Sequence, residues 1–263
     1  MTRLAFPTYL EHLRRESARF REALTDCDPQ ARVPACPDWD AADLVWHLAE
    51  VQAFWARIIR TRPAAPDDVG TVQRPGTYGE LLTFFDASSA DLVAQLEGAD
   101  PADPAWSWAP EQSVGFTFRR QAHEALMHRL DAEQTAGAVT PLEPALAADG
   151  VAELLEVMYG GEAPSWGRFE PSEHLVRVEL IDVGADLWVR PGLFFGTDPD
   201  SGKNHDSAHL VLTDPGTASA TVSGTAADLD GWLWKRGDDA DIAVSGDRAA
   251  YDALVAAVGP PLD

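Results

Sequence analysis

The feature of this sequence that most restricts its fold is a change in hydrophobic pattern near residue 173. Upstream of it, apolar residues recur at steps of three and four, which predicts amphipathic helices. Downstream, short β-branched and aromatic runs are separated by Gly, Asp and Pro, which predicts strands joined by turns. A chain of 263 residues can form two domains of ordinary size. We therefore predict a helical bundle over 1–166 and a small α+β domain over 167–263.

The predicted bundle has four main helices. Thr77 and Glu80 have capping-box spacing before the third helix, and Asp38 or Asp40 can cap the second. The apolar stripe of the second helix consists of Leu44, Leu48, Val51, Trp55 and Ile58. The predicted helices cover 10–24, about 40–60, 81–96 and about 117–134, and the shorter apolar segment 151–160 is expected to close the bundle.

The early strands of the second half have hairpin-like spacing, which favours a mainly antiparallel sheet. Helical spacing returns twice near the C-terminal end of the sequence. The predicted strands cover 174–183, 186–192, 209–214, 220–225 and 242–247, and the predicted helices cover 226–237 and 248–259.

The charge balance limits the classes of partner. The chain has 20 Lys and Arg against 43 Asp and Glu, a formal net charge of -23. Such a field repels phosphate backbones and anionic lipids, so we expect neither nucleic acid nor a membrane as a partner. Cys27 and Cys36 are too few for a disulfide framework, and we find neither a signal peptide nor an apolar run of spanning length. We expect a cytoplasmic monomer or homodimer.

One constellation of residues is suited to metal chemistry. Glu124 and His128 are four residues apart on the fourth helix and therefore differ by about 40° around its axis. Asp131 lies one turn further on the same face, whereas His123 points about 140° away from His128. His47 lies on an apolar face of the second helix, where a histidine needs partners for its ring nitrogens. Imidazole and carboxylate together suit zinc, iron or another divalent ion.

Other interpretations of these residues remain open. A Glu/His pair at this spacing is often a solvated helix surface, and a lone His on an apolar face is often a hydrogen-bonded core residue. The HExxxH pattern also differs from the HExxH of zinc proteases, and no GxSxG, P-loop or dinucleotide motif is present. Cys36 is better explained as a small buried thiol than as a nucleophile. His205 and His209 are better explained by a solvated turn than by a metal site.

Three blocks of the sequence stand out, namely VPACPDWDAADLVWHLAEVQAFW, RRQAHEALMHRLDAE and TVSGTAADLDGWLWKRGDDADIAVSGDRAAYDALV. Taken together and in order, they resemble the mycothiol-dependent maleylpyruvate isomerase family. The resemblance implies an up-and-down, DinB-like four-helix bundle followed by a domain related to sterol carrier proteins. One departure is that the usual CPGW turn is CPDW here, with Asp38 in place of a glycine.

The resemblance also implies a metal held by a His of the second helix and a Glu/His pair of the fourth, which are His47, Glu124 and His128 here. Zinc is the first choice of metal. It further implies mycothiol as a cofactor in an actinobacterial cytoplasm. The predicted activity is that of an isomerase or thiol S-transferase acting on a small electrophilic substrate, with a metal-activated thiolate as the nucleophile. The alternative is a protein that binds a metal and a ligand without turnover.

Three further sets of residues are candidates for roles around that metal. Asp131 is expected to orient His128. Arg120, together with its neighbours Arg119 and Arg129, is a candidate to neutralise a substrate carboxylate, although arginines in such positions usually have no such role. A cluster in the C-terminal domain is a candidate wall of the thiol site, with Trp234 and Arg236 as its main members, although core packing explains its tryptophans equally well. The cluster consists of Trp232, Trp234, Lys235 and Arg236.

Overall fold

A computed structural model describes residues 3–64, 66, 72–260 and 262. Contacts within the chain divide it into two compact units, one from Leu4 to Leu142 and the other from Glu143 onward together with Arg3. In the described part of the chain, no helix combines the length and apolar character needed to cross a membrane.

The first unit is a four-helix bundle, as predicted. Helix α1 packs against α4 and α2 packs against α3, with further contacts between α1 and α3 and between α2 and α4. Thr77 and Glu80 form the predicted capping box at the start of α3. A short hairpin between α1 and α2 was not predicted. The elements are α1 (Phe6–Ala23), β1 (Arg32–Val33), β2 (Cys36–Asp40), α2 (Ala41–Thr61), α3 (Tyr78–Glu97) and α4 (Val114–Ala136).

Large apolar side chains fill the centre of this bundle. The rings of Phe20 and Phe85 are 4.9 Å apart between α1 and α3, and Leu44 and Leu48 of α2 are fully buried beside them. In the predicted stripe of α2, only Val51 is half-buried rather than buried. His47, one turn earlier on the same helix, is also half-buried. The side of α2 that carries His47 is therefore less buried than its core stripe.

The second unit is α+β with a mainly antiparallel sheet, which confirms the predicted fold class. The strand order is β3-β5-β4-β7-β8, and β6 also pairs with β5. Only the β4–β7 pair is parallel. Its elements are α5 (Pro144–Glu153), a π-helical turn (Leu154–Met158), β3 (Gly167–Pro171), β4 (Val176–Leu180), β5 (Ala185–Thr197), β6 (Asn204–Leu212), β7 (Ala220–Gly224), α6 (Ala226–Leu233), β8 (Ala243–Gly246) and α7 (Arg248–Val258).

The division between the compact units falls earlier than the predicted boundary at 166/167. Helix α5 and the π-helical turn cover most of the segment that was expected to close the bundle. They lie in the second unit instead, because α5 packs against α6 and the turn contacts β6. The apolar pattern of this segment predicted a buried element, but it did not indicate which core the element joins.

Candidate metal centre

Helix α2, which carries His47, begins with a capping box. The carboxylate of Asp40 accepts a hydrogen bond from the Asp43 backbone N–H at 2.9 Å, and the Asp43 carboxylate accepts one from the Asp40 N–H at 3.2 Å. Of the two predicted caps, Asp40 is therefore the one used, while Asp38 is exposed. His47 follows Asp40 by two turns and is partly exposed.

Helix α4 carries the other two residues of the site and is buried along almost its whole length. The hydroxyl of Ser113 accepts a hydrogen bond from the Phe116 N–H at its start. At its end, Gly137 adopts a φ of 77°, a left-handed conformation that glycine tolerates without strain. Glu124 and His128 lie one turn apart on this helix and face the same way, as their spacing predicts.

The side chains of His47, Glu124 and His128 converge on one point. Each offers a ligand atom, and the three atoms lie within 4.8 Å of one another. Glu124 Oε1 is 3.4 Å from His47 Nε2 and 3.2 Å from His128 Nε2. Two ligand atoms that bind one zinc ion at normal bond lengths are about 3 to 3.5 Å apart. The residues therefore fit a divalent ion held by two imidazoles and one carboxylate.

Asp131 supports this arrangement from the other side of His128. Its Oδ2 atom lies 3.0 Å from His128 Nδ1, and both side chains are buried. A hydrogen bond from Nδ1–H to this carboxylate leaves the Nε2 lone pair pointing toward Glu124 and His47. A carboxylate partner of this kind fixes the tautomer and ring orientation of a metal-binding histidine.

The electrostatics of the cluster favour a positive charge at its centre. Burial alone would raise the pKa of Glu124, but hydrogen bonds with His128 and His47 and the charge of Arg120 hold that pKa well below its ordinary value. Burial alone would lower the pKa of His128, but Asp131 and Glu124 raise it to about 9. Either a proton on His128 or a metal cation can supply the charge that these carboxylates stabilise.

Trp39 forms an aromatic side of the cluster, a role that the sequence did not indicate. Its ring centroid lies 4.7 Å from that of His47 and 6.3 Å from that of His128. The only signal in the sequence was its position immediately before the Asp40 cap. The side chains of His47, Glu124 and His128 are 25%, 17% and 8% exposed, so access to the cluster is greatest at His47.

The predicted arginines have different surroundings. Arg120 lies in the cluster, where its Nη2 donates to Glu124 Oε2 at 3.2 Å. Arg129 instead donates to Glu16 at 2.8 Å and Glu133 at 2.9 Å, in a separate buried network. Arg119 is also buried.

The remaining candidates belong to the second unit. Trp234 is buried in the second unit, and Arg236 lies over its ring at 5.6 Å and donates to its carbonyl. His205 and His209 lie on strand β6 rather than in a solvated turn. The His205 ring is 5.2 Å from that of Trp166, and His209 Nε2 is 3.1 Å from the Gly161 carbonyl.

Comparison with known protein families and structures identifies relatives of both units. The family model described as the mycothiol maleylpyruvate isomerase N-terminal domain matches residues 10–133, and that of the MDMPI C-terminal domain matches residues 145–253. A search of curated proteins gives no significant match.

Two crystal structures share the fold of the chain. They are those of the mycothiol-dependent maleylpyruvate isomerase and of a variant of it in which one histidine is replaced by alanine, with TM-scores of 0.61 and 0.64. Each is 14% identical to this chain, and each alignment covers 93% of this chain and 96% of the other. Since the two family models account in order for both units, the chain belongs to the mycothiol-dependent maleylpyruvate isomerase family.

Proposed function

We propose that the chain is a divalent-metal-dependent enzyme that uses a low-molecular-weight thiol, mycothiol, to isomerise a small conjugated substrate. The observation that carries this proposal is the convergence of His47, Glu124 and His128 within 4.8 Å in a chain of this family. We propose His47 Nε2, Glu124 Oε1 and His128 Nε2 as the metal ligands. Zinc is the first choice, because two imidazoles and a carboxylate are common zinc ligands in catalytic sites.

The bound groups supply the reactive chemistry, and the protein supplies their environment. A divalent ion on three protein ligands lowers the pKa of a coordinated thiol so that it is a thiolate near neutral pH. Held there, such a thiolate would supply the nucleophile for a reversible addition to a double bond conjugated to a carbonyl, in which the carbon–sulfur bond that forms would break again and release the thiolate unchanged. The step consumes no oxidant and no net proton.

The residues of the chain have separate tasks in this scheme. Asp131 keeps the proton of His128 on Nδ1, so that Nε2 is available as a ligand. Trp39 covers the two imidazoles on one side and thereby reduces the access of water to a reactive thiolate. Access remains greatest beside His47, and we propose that the thiol and the substrate approach from there.

Isomerisation and S-transfer begin with the same addition and differ in whether the carbon–sulfur bond breaks again. We favour isomerisation because both structural relatives carry that name. The substrate of this chain is expected to be a small electrophile with a conjugated double bond, as maleylpyruvate is.

The first prediction concerns metal content. Protein purified after equilibration with Zn²⁺ and removal of free metal is expected to contain about one ion per chain, and His128→Ala is expected to lose most of it, because a two-ligand site binds zinc weakly. The measurement is elemental analysis by mass spectrometry. His123→Ala is the matched control, since His123 is also a buried histidine of α4 but lies outside the cluster, with its ring 6.2 Å from that of Tyr9. Equal zinc content in wild type and His128→Ala would contradict the proposed ligand set.

The second prediction concerns the thiol. The zinc-loaded protein is expected to convert a cis-configured, carbonyl-conjugated diacid to its trans isomer only when mycothiol is present, with His47→Ala at least about 100-fold slower because a metal ligand is lost. Product configuration is followed by nuclear magnetic resonance. A stable thiol adduct would instead identify an S-transferase. If zinc and mycothiol bind without any reaction across a panel of such electrophiles, the protein is a binding module and the enzymatic proposal is wrong.

A further inference from the structure

The two oxygens of the Glu124 carboxylate face different partners. Oε1 lies within 3.4 Å of the Nε2 atoms of both His47 and His128. Oε2 accepts a hydrogen bond from Arg120 Nη2 at 3.2 Å. One oxygen therefore faces the proposed metal position, and the other is held by a guanidinium.

This division bears on the number of positions open at a metal. A carboxylate binds a metal ion through one oxygen or through both, and binding through both occupies an additional coordination position. A catalytic site must keep at least one position for the reacting ligand. A thiol-dependent reaction needs that position for sulfur, so an unrestrained Glu124 would compete with the thiol.

The surroundings of Arg120 make it a firm restraint. Its side chain is only 4% exposed, and it lies one turn before Glu124 on α4, the spacing at which helical side chains meet. A charge-assisted hydrogen bond is stronger than a neutral one, and water competes with it little when the donor is buried.

We propose that Arg120 is a positioning residue that restricts Glu124 to one metal-binding oxygen and so keeps a coordination position open for the thiol. This proposal rests on the proposed metal site. It differs from the role that the sequence suggested for Arg120, because the guanidinium contacts a metal ligand instead of a substrate carboxylate.

The test uses Co²⁺ as the metal, since its visible absorption reports coordination number, together with X-ray absorption of the Zn²⁺ form. Arg120→Met keeps the length of the side chain and removes its hydrogen-bond donors. We expect Arg120→Met to keep about one metal ion per chain, to show weaker Co²⁺ absorption with a higher coordination number, and to bind mycothiol about 10- to 100-fold more weakly. Arg120→Lys is expected to restore part of both signals, because its ammonium can still donate to Oε2.

Arg129→Gln is the matched control. It removes another buried guanidinium of α4, one that bonds to Glu16 and Glu133, and it should leave the Co²⁺ spectrum unchanged even if the protein becomes less stable. If Arg120→Met does not fold, Arg120→Leu carries the same expectation, because its side chain also has no hydrogen-bond donor. A wild-type protein that binds no Co²⁺ would overturn the proposed function itself. If the wild type binds Co²⁺, and Arg120→Met has the same Co²⁺ spectrum and the same mycothiol affinity as the wild type, only the proposed role of Arg120 is overturned.

Discussion

Glu133 of α4 illustrates at the residue scale how this protein stabilises buried charge. Its carboxylate accepts hydrogen bonds from the Thr140 backbone N–H and hydroxyl, each at 2.8 Å, and from Arg129 at 2.9 Å. Burial alone would raise the pKa of Glu133, but the hydrogen bonds from Thr140 and Arg129 outweigh it and lower that pKa. Arg129 bonds in turn to Glu16 of α1, so the network joins two helices and the segment after α4.

The lowered pKa predicts how stability depends on pH. A carboxylate with a pKa below its unfolded value stabilises the fold above about pH 4.3, and this contribution is lost as the pH falls through the folded pKa. Glu133→Gln should therefore lower the free energy of unfolding, measured by urea denaturation, by an amount on the order of 1–3 kcal/mol at pH 7 and by much less near pH 3. Glu11→Gln, on the exposed side of α1, is the control and should change little. A loss of stability that is the same at both pH values would contradict this account.

The convergence of the three proposed metal ligands was largely predictable at this scale, because helical spacing determines which residues of one helix share a face. Glu124 and His128 meet for that reason, and His47 stood out as a histidine on an apolar face. The contacts of Trp39 and Arg120 were not predictable. Trp39 reaches the imidazoles only because β2 leads into the cap of α2. For Arg120, the sequence spacing to Glu124 is the same whether the side chain is solvated or buried.

At the scale of elements, the caps were the most reliable signals. The third helix starts directly after Thr77, and the second directly after Asp40, as their side-chain chemistry predicts. Strand β5 was predicted only as far as Gly192, because Pro191 and Gly192 resemble a turn. In the structure, β5 pairs with β4 as far as Val189 and with β3 from Gly192 onward. Pro191 lies between these two parts of the strand. A proline is tolerated there because it falls between the two partners.

The cap of α2 allows a direct test of this element. Asp40→Ala removes an acceptor for the Asp43 N–H and should reduce stability by about 1 kcal/mol, measured by thermal or urea unfolding. Asp38→Ala is the control, because Asp38 is exposed two residues earlier and does not cap the helix. Equal losses in the two variants would show that the start of α2 depends on charge near the turn rather than on the capping hydrogen bond.

At the scale of the whole molecule, the excess of acidic residues attracts cations toward the protein and thus toward the proposed metal site. A net charge of -23 raises the local concentration of cations around the protein, and salt screens this effect. The single described cluster with metal-ligand geometry combines this general attraction with specific nitrogen and oxygen donors. The charge balance follows from the sequence alone, whereas the arrangement of the donors depends on the fold.

The parallel pairing of β4 with β7 has a consequence for how the second unit assembles. Val176 pairs with Ala220, 44 residues further along, whereas β5 and β6 pair as neighbours in the chain. Pairing between distant segments carries a larger loop-closure cost and forms more slowly than local pairing. During synthesis, the β5–β6 hairpin can therefore form as soon as it leaves the ribosome. The β4–β7 pair at the centre of the sheet can form only after β7 has been synthesised, and α7 can pack on β5, β6 and β7 only later still.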